Sequence, residues 1–470
     1  MSLRSLRVNS DAELLSYIIN VTPELSAEID LPTQGESIKP IGKLIVSNER
    51  LKNAFINTVN LIGLTIIDRN EWEDPWETFT NSGTIQFGDS VRELAVDIAD
   101  VFDYNEYCNN ATHFLANVVP NIYNYIHELN YQKFYKTTTS DDQIAMAFNT
   151  EGGLMDLIEK VVGSNWEGYK YDKYIVAKYM LCRRILDGTM TAVEIDNYGS
   201  LTARQRVSKM KSISNKMTFR SANYNPAGLR IATAFGNQIM ILDTDSEAEI
   251  TTEVLATSFF RNEADFKTNL ALIDGYGNHD EARLLELLGD TYIPFTETEK
   301  TALGNVPAVI IDRDFFKIYN YAFDANGEGV RSTSFYNPET LRNNHWLHTW
   351  KVLSTSPFKQ GVVFTKDVTP AIASVAVSPS TATVNVGQSI VLKAEVTTTG
   401  FANKAVTWAV TADPTTGTAK VEVNALTGEV KVPASYVPAQ GVVKVKATSV
   451  FDTTKGAEAQ LTIVGQAVES

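Results

Sequence analysis

Hydrophobic and polar residues alternate most clearly in the last hundred residues of the chain. Every second position is apolar in three segments, namely Leu392–Val396, Val406–Val410 and Val443–Ala447. This period of two is typical of strands with one buried face. About seven short strands in about 100 residues, with Trp408 on a central strand, predict an all-β Ig-like sandwich over 369–470 with Trp408 in its core.

The first apolar stripe with a helical period lies near the N-terminus. Leu51, Phe55 and Val59 share one face of a predicted helix over 47–62, which Gly63 ends. We expect the residues before this helix to form a mobile arm. The first unit of the chain is therefore an N-terminal arm and helix over 1–62.

An acidic, aromatic-bearing segment follows over 63–115. Trp72 and Trp76 stand among acidic residues, and the stretch from Gly83 to Gly88 predicts a hairpin tip or a sharp bend. Two interpretations stay open, namely an ordinary β-hairpin with exposed acids, or an arm that lies on a neighbouring subunit. In the second interpretation these four residues are candidate inter-subunit contacts.

The main helical region is predicted at 141–188, with an interruption at Gly152-Gly153. Its second helix runs from about Asp172 to Gly188. Cys182 lies on the apolar stripe of that helix, which indicates a core thiol and not a nucleophile.

Two oppositely charged segments come next. Residues 201–217 predict a basic helix with an apolar opposite face, and an acidic stretch follows about forty residues later. Both can be ordinary solvated faces. They also suit head-to-tail contacts between copies in a ring, for which the candidate residues are Arg204, Arg206, Lys209, Asp243, Asp245 and Glu247.

The charge of the chain is concentrated in its first 370 residues. The formal net charge is −15 over 470 residues, while residues 371–470 hold seven acids and seven bases. Such a surface repels nucleic acid, which disfavours a nucleic-acid reader. The same charge does not disfavour a container that should not stick to DNA.

The composition also bears on cellular location. No run of about 18 apolar residues predicts a membrane span, and the first residues have no apolar segment typical of a secretory signal. Cys108 and Cys182 do not make a disulfide framework, which favours a product folded in a reducing cytoplasm.

Candidate catalytic groups are sparse. His345 and His348 are three residues apart in a predicted strand, which places their rings on opposite faces. Asp312 and Asp314 could pair as carboxylates, but such residues more often close a strand or accept a salt bridge. We expect no enzyme, no metal and no cofactor.

Two segments, with the residues that follow them, resemble a known family. Leu242–Ala256 and Val309–Phe316, the latter followed by His348-x-Trp350-x-x-Leu353, resemble the major capsid (head) protein of small short-tailed bacteriophages, the phi-29-type or picovirus-like podoviruses. Val375-x-Val-x-Pro379 resembles the start of a bacterial group 2 Ig-like (BIG2) domain. The resemblance rests on the order and spacing of these motifs taken together. Relative to the family, residues 281–305 look like an insertion.

The resemblance implies an α+β, HK97-like tailed-phage capsid fold followed by an Ig-like sandwich on the outer face. An extended loop over 63–115 would overlap the next subunit, and 116–368 would form a peripheral domain with the long helix and an axial domain. The chain would assemble into pentamers and hexamers of an icosahedral or prolate shell around double-stranded DNA. The implied partners are copies of itself, a scaffolding protein, a portal protein and packaged DNA, in a virion capsid assembled in the host cytoplasm.

Two other functions stay open. One is a bacterial surface binding protein with an Ig-like module, against which the absence of a signal and an anchor counts. The other is a carbohydrate-active enzyme with an accessory Ig module. Its candidate acids stand beside Trp72 and Trp76, namely Glu71, Glu73 and Asp74.

Overall fold

The computed structural model describes most of the chain, with several gaps. The described residues are 11–32, 37–55, 58, 74–85, 88, 90–99, 122–149, 153–158, 163–253, 269–323, 329–340, 342–425, 427–438 and 440–464. None of the helices in these ranges is both long and apolar enough to cross a membrane.

The helices are numbered in chain order. They are α1 Asp11–Val21, α2 Pro23–Ser26, α3 Lys39–Ser47, α4 at 49–55, α5 Glu77–Thr80, α6 Asp141–Asn149, α7 Gly153–Ile158, α8 Ser164–Leu186, α9 Ala203–Met217, α10 Thr244–Glu253, α11 Glu281–Leu288 and α12 Glu297–Gly304.

The strands are numbered in the same way. Up to residue 366 they are β1 Gly83–Ile85, β2 Ser90–Val96, β3 Ile122–Glu128, β4 Tyr131–Ser140, β5 Thr191–Ile195, β6 Gln238–Asp243, β7 Leu270–Ile273, β8 Ala308–Asp312, β9 Phe316–Tyr321, β10 Val330–Asn337, β11 Arg342–Thr355 and β12 Gly361–Lys366. The C-terminal strands are β13 Ala371–Ser378, β14 Thr381–Asn385, β15 Ser389–Val391, β16 Lys393–Thr399, β17 Val406–Ala412, β18 Glu422–Val423, β19 Glu429–Lys431, β20 Val443–Ser449 and β21 Gly456–Val464.

Two five-stranded sheets form the body of the molecule, which confirms the predicted α+β class. One has the order β5-β12-β8-β6-β7, and the other has the order β1-β9-β11-β10 with β4 also paired to β11. Every residue of the central strand β8 is buried, as expected for an apolar strand that is covered on both faces. The long helix α8 packs against β4 and β11.

Helix α8 is longer than the sequence predicted, because it begins at Ser164 and not near Asp172. Asp172 and Lys178 are buried polar residues within it, and they interrupt the apolar stripe that marks a helix in sequence. Cys182 lies in the core, where its thiol donates to the Tyr276 carbonyl oxygen at 3.4 Å. Burial raises the pKa of this thiol to about 12, so the prediction of a core thiol is confirmed.

The segment 281–305 folds onto α8 through its helices α11 and α12. The Arg283 guanidinium donates to both carboxylate oxygens of the buried Asp172, each at 2.9 Å. The Arg183 guanidinium lies 4.2 Å from the centre of the Phe295 ring. The segment is thus part of the body core.

The N-terminal region differs from the predicted mobile arm. Helices α1 to α4 share an apolar cluster with α6 and α7, which includes Leu14, Ile18, Leu51 and Phe148. A Cβ on Gly42 of α3 would stand 2.4 Å from the Phe148 ring, so these helices pack in close contact. The arm prediction is therefore wrong for the described residues between 11 and 47, although the predicted helix near Leu51 is present.

The described residues from 371 to 464 are all β, as predicted. Three sheets, β13-β16, β14-β21-β20-β17 and β15-β19-β18, enclose one apolar cluster. Trp408 lies in this cluster, as expected, and is 5% exposed. A Cβ on Gly428, which has a φ of 70°, would stand 2.8 Å from the Trp408 ring. Trp408 therefore packs directly against a tight turn, while the Ig-like classification stays a prediction.

A loop of the C-terminal β unit, Phe401 to Lys404, contacts the body. Phe401 is buried in the core cluster of the body, and Lys404 Nζ donates to the Leu186 carbonyl oxygen at the end of α8 at 2.9 Å. Gly188 has a φ of 66°, and a Cβ there would meet the Ala402 carbonyl oxygen at 2.3 Å. The loop and the end of α8 are therefore in close backbone contact.

Candidate assembly interface

Strands β2 and β3 form a two-stranded antiparallel ribbon that exposes apolar side chains. β2 lies within the extended loop that was predicted at 63–115, and β3 follows that loop. Its register runs from the pair Ser90 and Glu128 to the pair Val96 and Ile122. Since side chains alternate between the faces of a strand, the ribbon has one face toward the body and one away from it.

The face that points away from the body is called the outward face here. It carries four exposed aliphatic side chains, and their exposed fractions are 62% for Leu94, 59% for Val96, 59% for Ile122 and 44% for Ile126. Exposed apolar side chains clustered in this way mark interaction sites.

The face toward the body carries Glu93 and His127, the rings of Tyr123 and Tyr125, and the aliphatic side chains of Val91 and Ala95. Tyr123 contacts Phe358 edge to face, with ring centres 6.5 Å apart. His127 and Glu93 make hydrogen bonds at the base of the ribbon, where β3 passes β11. The body-facing side of the ribbon is thus already in contact within the subunit.

Trp76 is placed differently from the prediction. It is fully buried in the body core, where its ring contacts Tyr174 at 5.3 Å and its Nε1 donates to the Leu272 carbonyl oxygen at 2.9 Å. This burial corrects the expectation that Trp76 contacts a neighbouring subunit. Trp72 lies outside the described residues.

Gly83 and Gly88 do not form the tip of a hairpin. Gly83 begins β1, which pairs in parallel with β9, and Gly88 lies between β1 and β2. Their φ values of 124° and 89° are the reason for glycine at both positions. The paired strands of the ribbon are β2 and β3, so the predicted hairpin tip is wrong, whereas Gly88 does lie at a bend, the other form that the sequence predicted.

The basic helix is confirmed as α9, with a capping box formed by Thr202 and Gln205. Its charged residues divide into two groups. Arg204 and Lys209 are exposed, and Lys209 Nζ donates to the Asp196 carbonyl oxygen at 3.3 Å. Arg206 is mostly buried and pairs with Glu249 of α10.

Arg206 therefore has its acidic partner within the same chain. Its guanidinium also lies 4.1 Å from the centre of the Tyr198 ring, and its Nε donates to the Tyr198 carbonyl oxygen at 3.0 Å. The expectation that Arg206 pairs with the acidic stretch of another copy is corrected by these contacts.

The acidic candidates lie at the junction of β6 and α10. Asp243 ends β6 and is half-buried, and burial raises the pKa of its carboxyl. Asp245 and Glu247 lie in the first turn of α10, where negative charge is favourable to the helix dipole. Their role between subunits stays a prediction.

The comparison with known proteins agrees with the resemblance found in the sequence. The model of the family described as "Phi29-like phage major capsid protein" matches residues 18–365, well over half of the chain. The chain belongs to the Phi29-like phage major capsid protein family. Its function is therefore that of a phage major capsid protein, which associates with copies of itself to form the capsid of the virion.

Individual relatives span most of this capsid protein. It is 28% identical to the major capsid protein of Bacillus phage PZA over 422 residues, which are 88% of this chain and 86% of the relative. It is 25% identical to that of Bacillus phage GA-1 over 402 residues, which are 84% and 78%. The surface-binding alternative is not favoured by these relatives.

A solved structure with a similar chain is the capsid structure of Staphylococcus phage Andhra. The TM-score is 0.45 at 15% identity, and the similarity covers 63% of this chain and 84% of that chain.

The candidate chemical groups in this capsid protein have structural partners. His345 Nε2 lies 2.9 Å from Thr139 Oγ1, and His348 Nε2 lies 3.1 Å from Thr333 Oγ1. His345 is buried and His348 is half-buried on the other face of β11, as predicted. Burial lowers the pKa of His345 to about 4.

The carboxylates also serve the fold. Asp312 is buried at the end of β8 and accepts from Thr233 Oγ1 at 2.8 Å, while Asp314 is exposed. Asp74 pairs with Lys173 at 3.8 Å, and Glu71 and Glu73 lie outside the described residues. Across the described ranges, no group of three or more His, Cys, Asp or Glu side chains could hold a metal ion.

The outward face of the ribbon was missed from sequence, because its signal is weak. Residues 90–96 read Ser-Val-Arg-Glu-Leu-Ala-Val, in which apolar and polar positions do not alternate. The predicted loop ended at 115, before the returning strand β3, so neither the pairing nor the outward face could be assigned.

Proposed function

We propose that this capsid protein assembles into pentamers and hexamers of a closed icosahedral or prolate shell around double-stranded phage DNA. The observation that carries the proposal is the aliphatic outward face of the ribbon. An isolated two-stranded ribbon is marginally stable in water, and an exposed aliphatic face gains free energy when it is covered. In the shell, the outward face lies against the next copy of the chain.

The proposal extends to the organisation of the chain. In the HK97-like arrangement, the ribbon belongs to the extended loop, and α8 with the sheet that contains β11 forms the peripheral domain. The sheet that contains β8 belongs to the axial domain at the capsomer centre. The C-terminal β unit is an Ig-like domain on the outer face of the shell.

The remaining partners follow from the same role. A scaffolding protein guides assembly in the host cytoplasm, a portal protein occupies one vertex, and packaged DNA touches the inner surface without sequence preference. The net charge of −15 supports weak contact with DNA. The role is structural and not catalytic. Among the described residues, the candidate histidines and carboxylates make contacts within the fold, namely His345, His348, Asp312, Asp314 and Asp74.

Charged substitutions on the outward face test the proposal. Leu94→Glu together with Ile122→Glu should leave the subunit folded, because both side chains are exposed, and should abolish particles seen by sedimentation and negative-stain imaging. Thr407→Glu is the matched control, since it adds a charge at an exposed strand position of the C-terminal unit. Normal particles from the double variant would contradict the proposal.

A further inference from the structure

Polar side chains seat the base of the ribbon on β11. Asn130 Nδ2 donates to the Leu353 carbonyl oxygen at 2.8 Å, and the Leu353 N–H donates to Asn130 Oδ1 at 2.8 Å. The next residue, Ser354, has its Oγ 2.8 Å from His127 Nδ1. The side-chain amide of Asn130 therefore makes the pair of hydrogen bonds with Leu353 that a neighbouring strand would make. His127 makes the next contact with β11, through Ser354.

Glu93 connects both strands of the ribbon to the body. Its Oε2 lies 3.1 Å from Nε2 of His127 on the partner strand. Its Oε1 accepts from Ser356 Oγ at 2.9 Å and lies 3.5 Å from Lys317 Nζ of β9. One carboxylate thus joins β2, β3, β9 and the end of β11.

The side chains of Glu93, His127, Lys317, Ser354 and Ser356 together are called the seat of the ribbon. The seat is buried and charged. The His127 side chain is fully buried, the Glu93 side chain is 15% exposed and the Lys317 side chain is 13% exposed. Hydrogen bonds to a charged group are stronger than neutral ones, and a buried partner left unsatisfied is costly. Loss of the charge on Glu93 would therefore weaken the contacts of His127, Lys317 and Ser356 together.

We propose that Glu93 is a positioning residue that fixes the angle at which the ribbon leaves the subunit, and that its neutralisation releases the ribbon from the body. The proposal rests on the proposed assembly function, since the angle decides where the outward face meets the next copy. The charged seat holds the ribbon in one direction in the free subunit.

The same residues also form a Ser-His-Glu arrangement, which suggests an acyl-transfer site. Two features argue against catalysis. The His127 side chain has no exposed surface for a substrate, and Oε1 of Glu93 is engaged by Ser356 and Lys317. The hydrogen bonds of this Ser-His-Glu arrangement therefore serve to hold the ribbon on the body, and no substrate is needed to explain them.

Acid provides a second way to neutralise Glu93. Burial alone would raise the pKa of this carboxyl, but His127, Lys317 and Ser356 lower it below the ordinary value. A lowered pKa means that the charge stabilises the seat at neutral pH, and that this stabilisation is lost as the pH falls below about 4.3, the ordinary value of a glutamate. Tyr319 of β9 also faces Glu93, and it stays neutral in this range because burial raises its pKa.

Hydrogen–deuterium exchange on the full-length unassembled subunit tests the release. Glu93→Gln keeps the shape of the side chain and removes its charge, and we expect exchange about tenfold faster in peptides of β2 and β3. Peptides of α8 and β20 should be unchanged. Glu128→Gln is the matched control, because this exposed carboxylate lies on the outward face of the same ribbon.

If Glu93→Gln prevents folding, Ser356→Ala removes one contact and keeps the charge, and it should give a smaller increase in ribbon exchange. The wild-type ribbon should show the same acceleration only at acid pH, after correction for intrinsic exchange rates. Equal ribbon exchange in wild type, Glu93→Gln and Ser356→Ala would overturn the proposal.

Assembly provides the second readout. We expect Glu93→Gln to give particles of irregular curvature, while Glu422→Gln, which removes an exposed carboxylate from strand β18 of the C-terminal unit, gives normal ones. Regular particles from a variant with a released ribbon would overturn the role of Glu93 in setting the angle. That result is distinct from failure of the assembly function, in which the wild-type chain itself forms no particles.

Discussion

Lys351 is a buried cation in the layer between α8 and β11. It is 3% exposed, and its ammonium lies 4.2 Å from the centre of the Tyr169 ring. Burial lowers the pKa of Lys351 to about 7, while the nearby Asp74, Glu77 and Asp172 raise it. A charged lysine at this position opposes folding, because its desolvation exceeds the attraction of its neighbours.

We expect Lys351→Met to stabilise the subunit by on the order of 1–3 kcal/mol at pH 7. The unfolded chain binds more protons than the folded chain between about pH 7 and 10, so wild-type stability should rise with pH over that window. The advantage of Lys351→Met should therefore shrink toward high pH. Thermal melts at several pH values measure this, with the exposed Lys431→Met as control, and an advantage that is independent of pH would contradict it.

At the scale of elements, the pair α9 and α10 shows why charge patterns in sequence are ambiguous. The basic and the acidic segments do meet, but through Arg206 and Glu249 of one chain. Sequence predicted both charged segments and the helix α9, but it could not say which copy of the chain supplies the partner.

The two kinds of basic residue in α9 should behave differently. Arg206→Glu removes contacts with Glu249 and Tyr198, so we expect a loss of about 1–2 kcal/mol in subunit stability. Arg204→Glu with Lys209→Glu should change stability by less than about 0.5 kcal/mol, since both residues are exposed. Thermal melts and particle yields separate the two effects, and normal yield from the second variant would exclude these residues from an interface.

Elements whose sequence pattern lies within one segment were easier to predict than elements that depend on contacts between distant segments. The alternating C-terminal strands, α9 and the core position of Cys182 follow from periodicity within single segments. The pairing of β1 with β9 joins residues more than two hundred positions apart, and Trp76 is buried by that non-local packing. The apolar residues Leu14, Leu15, Ile18 and Ile19 do have a helical spacing, so the helical N-terminal region could have been found.

For the whole molecule, the contact between the C-terminal β unit and the body determines how stable the body is without that unit. Charge and strand pattern both change near residue 370, which predicts that an N-terminal part folds alone. The structure adds that Phe401 fills a place in the body core and that Lys404 donates to the end of α8.

We expect a chain that ends at residue 370 to stay folded but to be less stable than the full chain. Phe401→Ala in the full chain should reproduce part of this loss, about 2–4 kcal/mol, because it leaves a cavity in the body core. Circular dichroism melts measure both, and Phe451→Ala, which is 42% exposed, is the control. An unfolded truncated chain would show that the body depends on the C-terminal unit.

The two ends of the ribbon enter the same sheet, because β1 pairs with β9 and β4 pairs with β11 along ten residue pairs. Only two residues separate β3 from β4. Tension applied to the ribbon would therefore pass into β4 and load many backbone hydrogen bonds in shear, so that they resist rupture together.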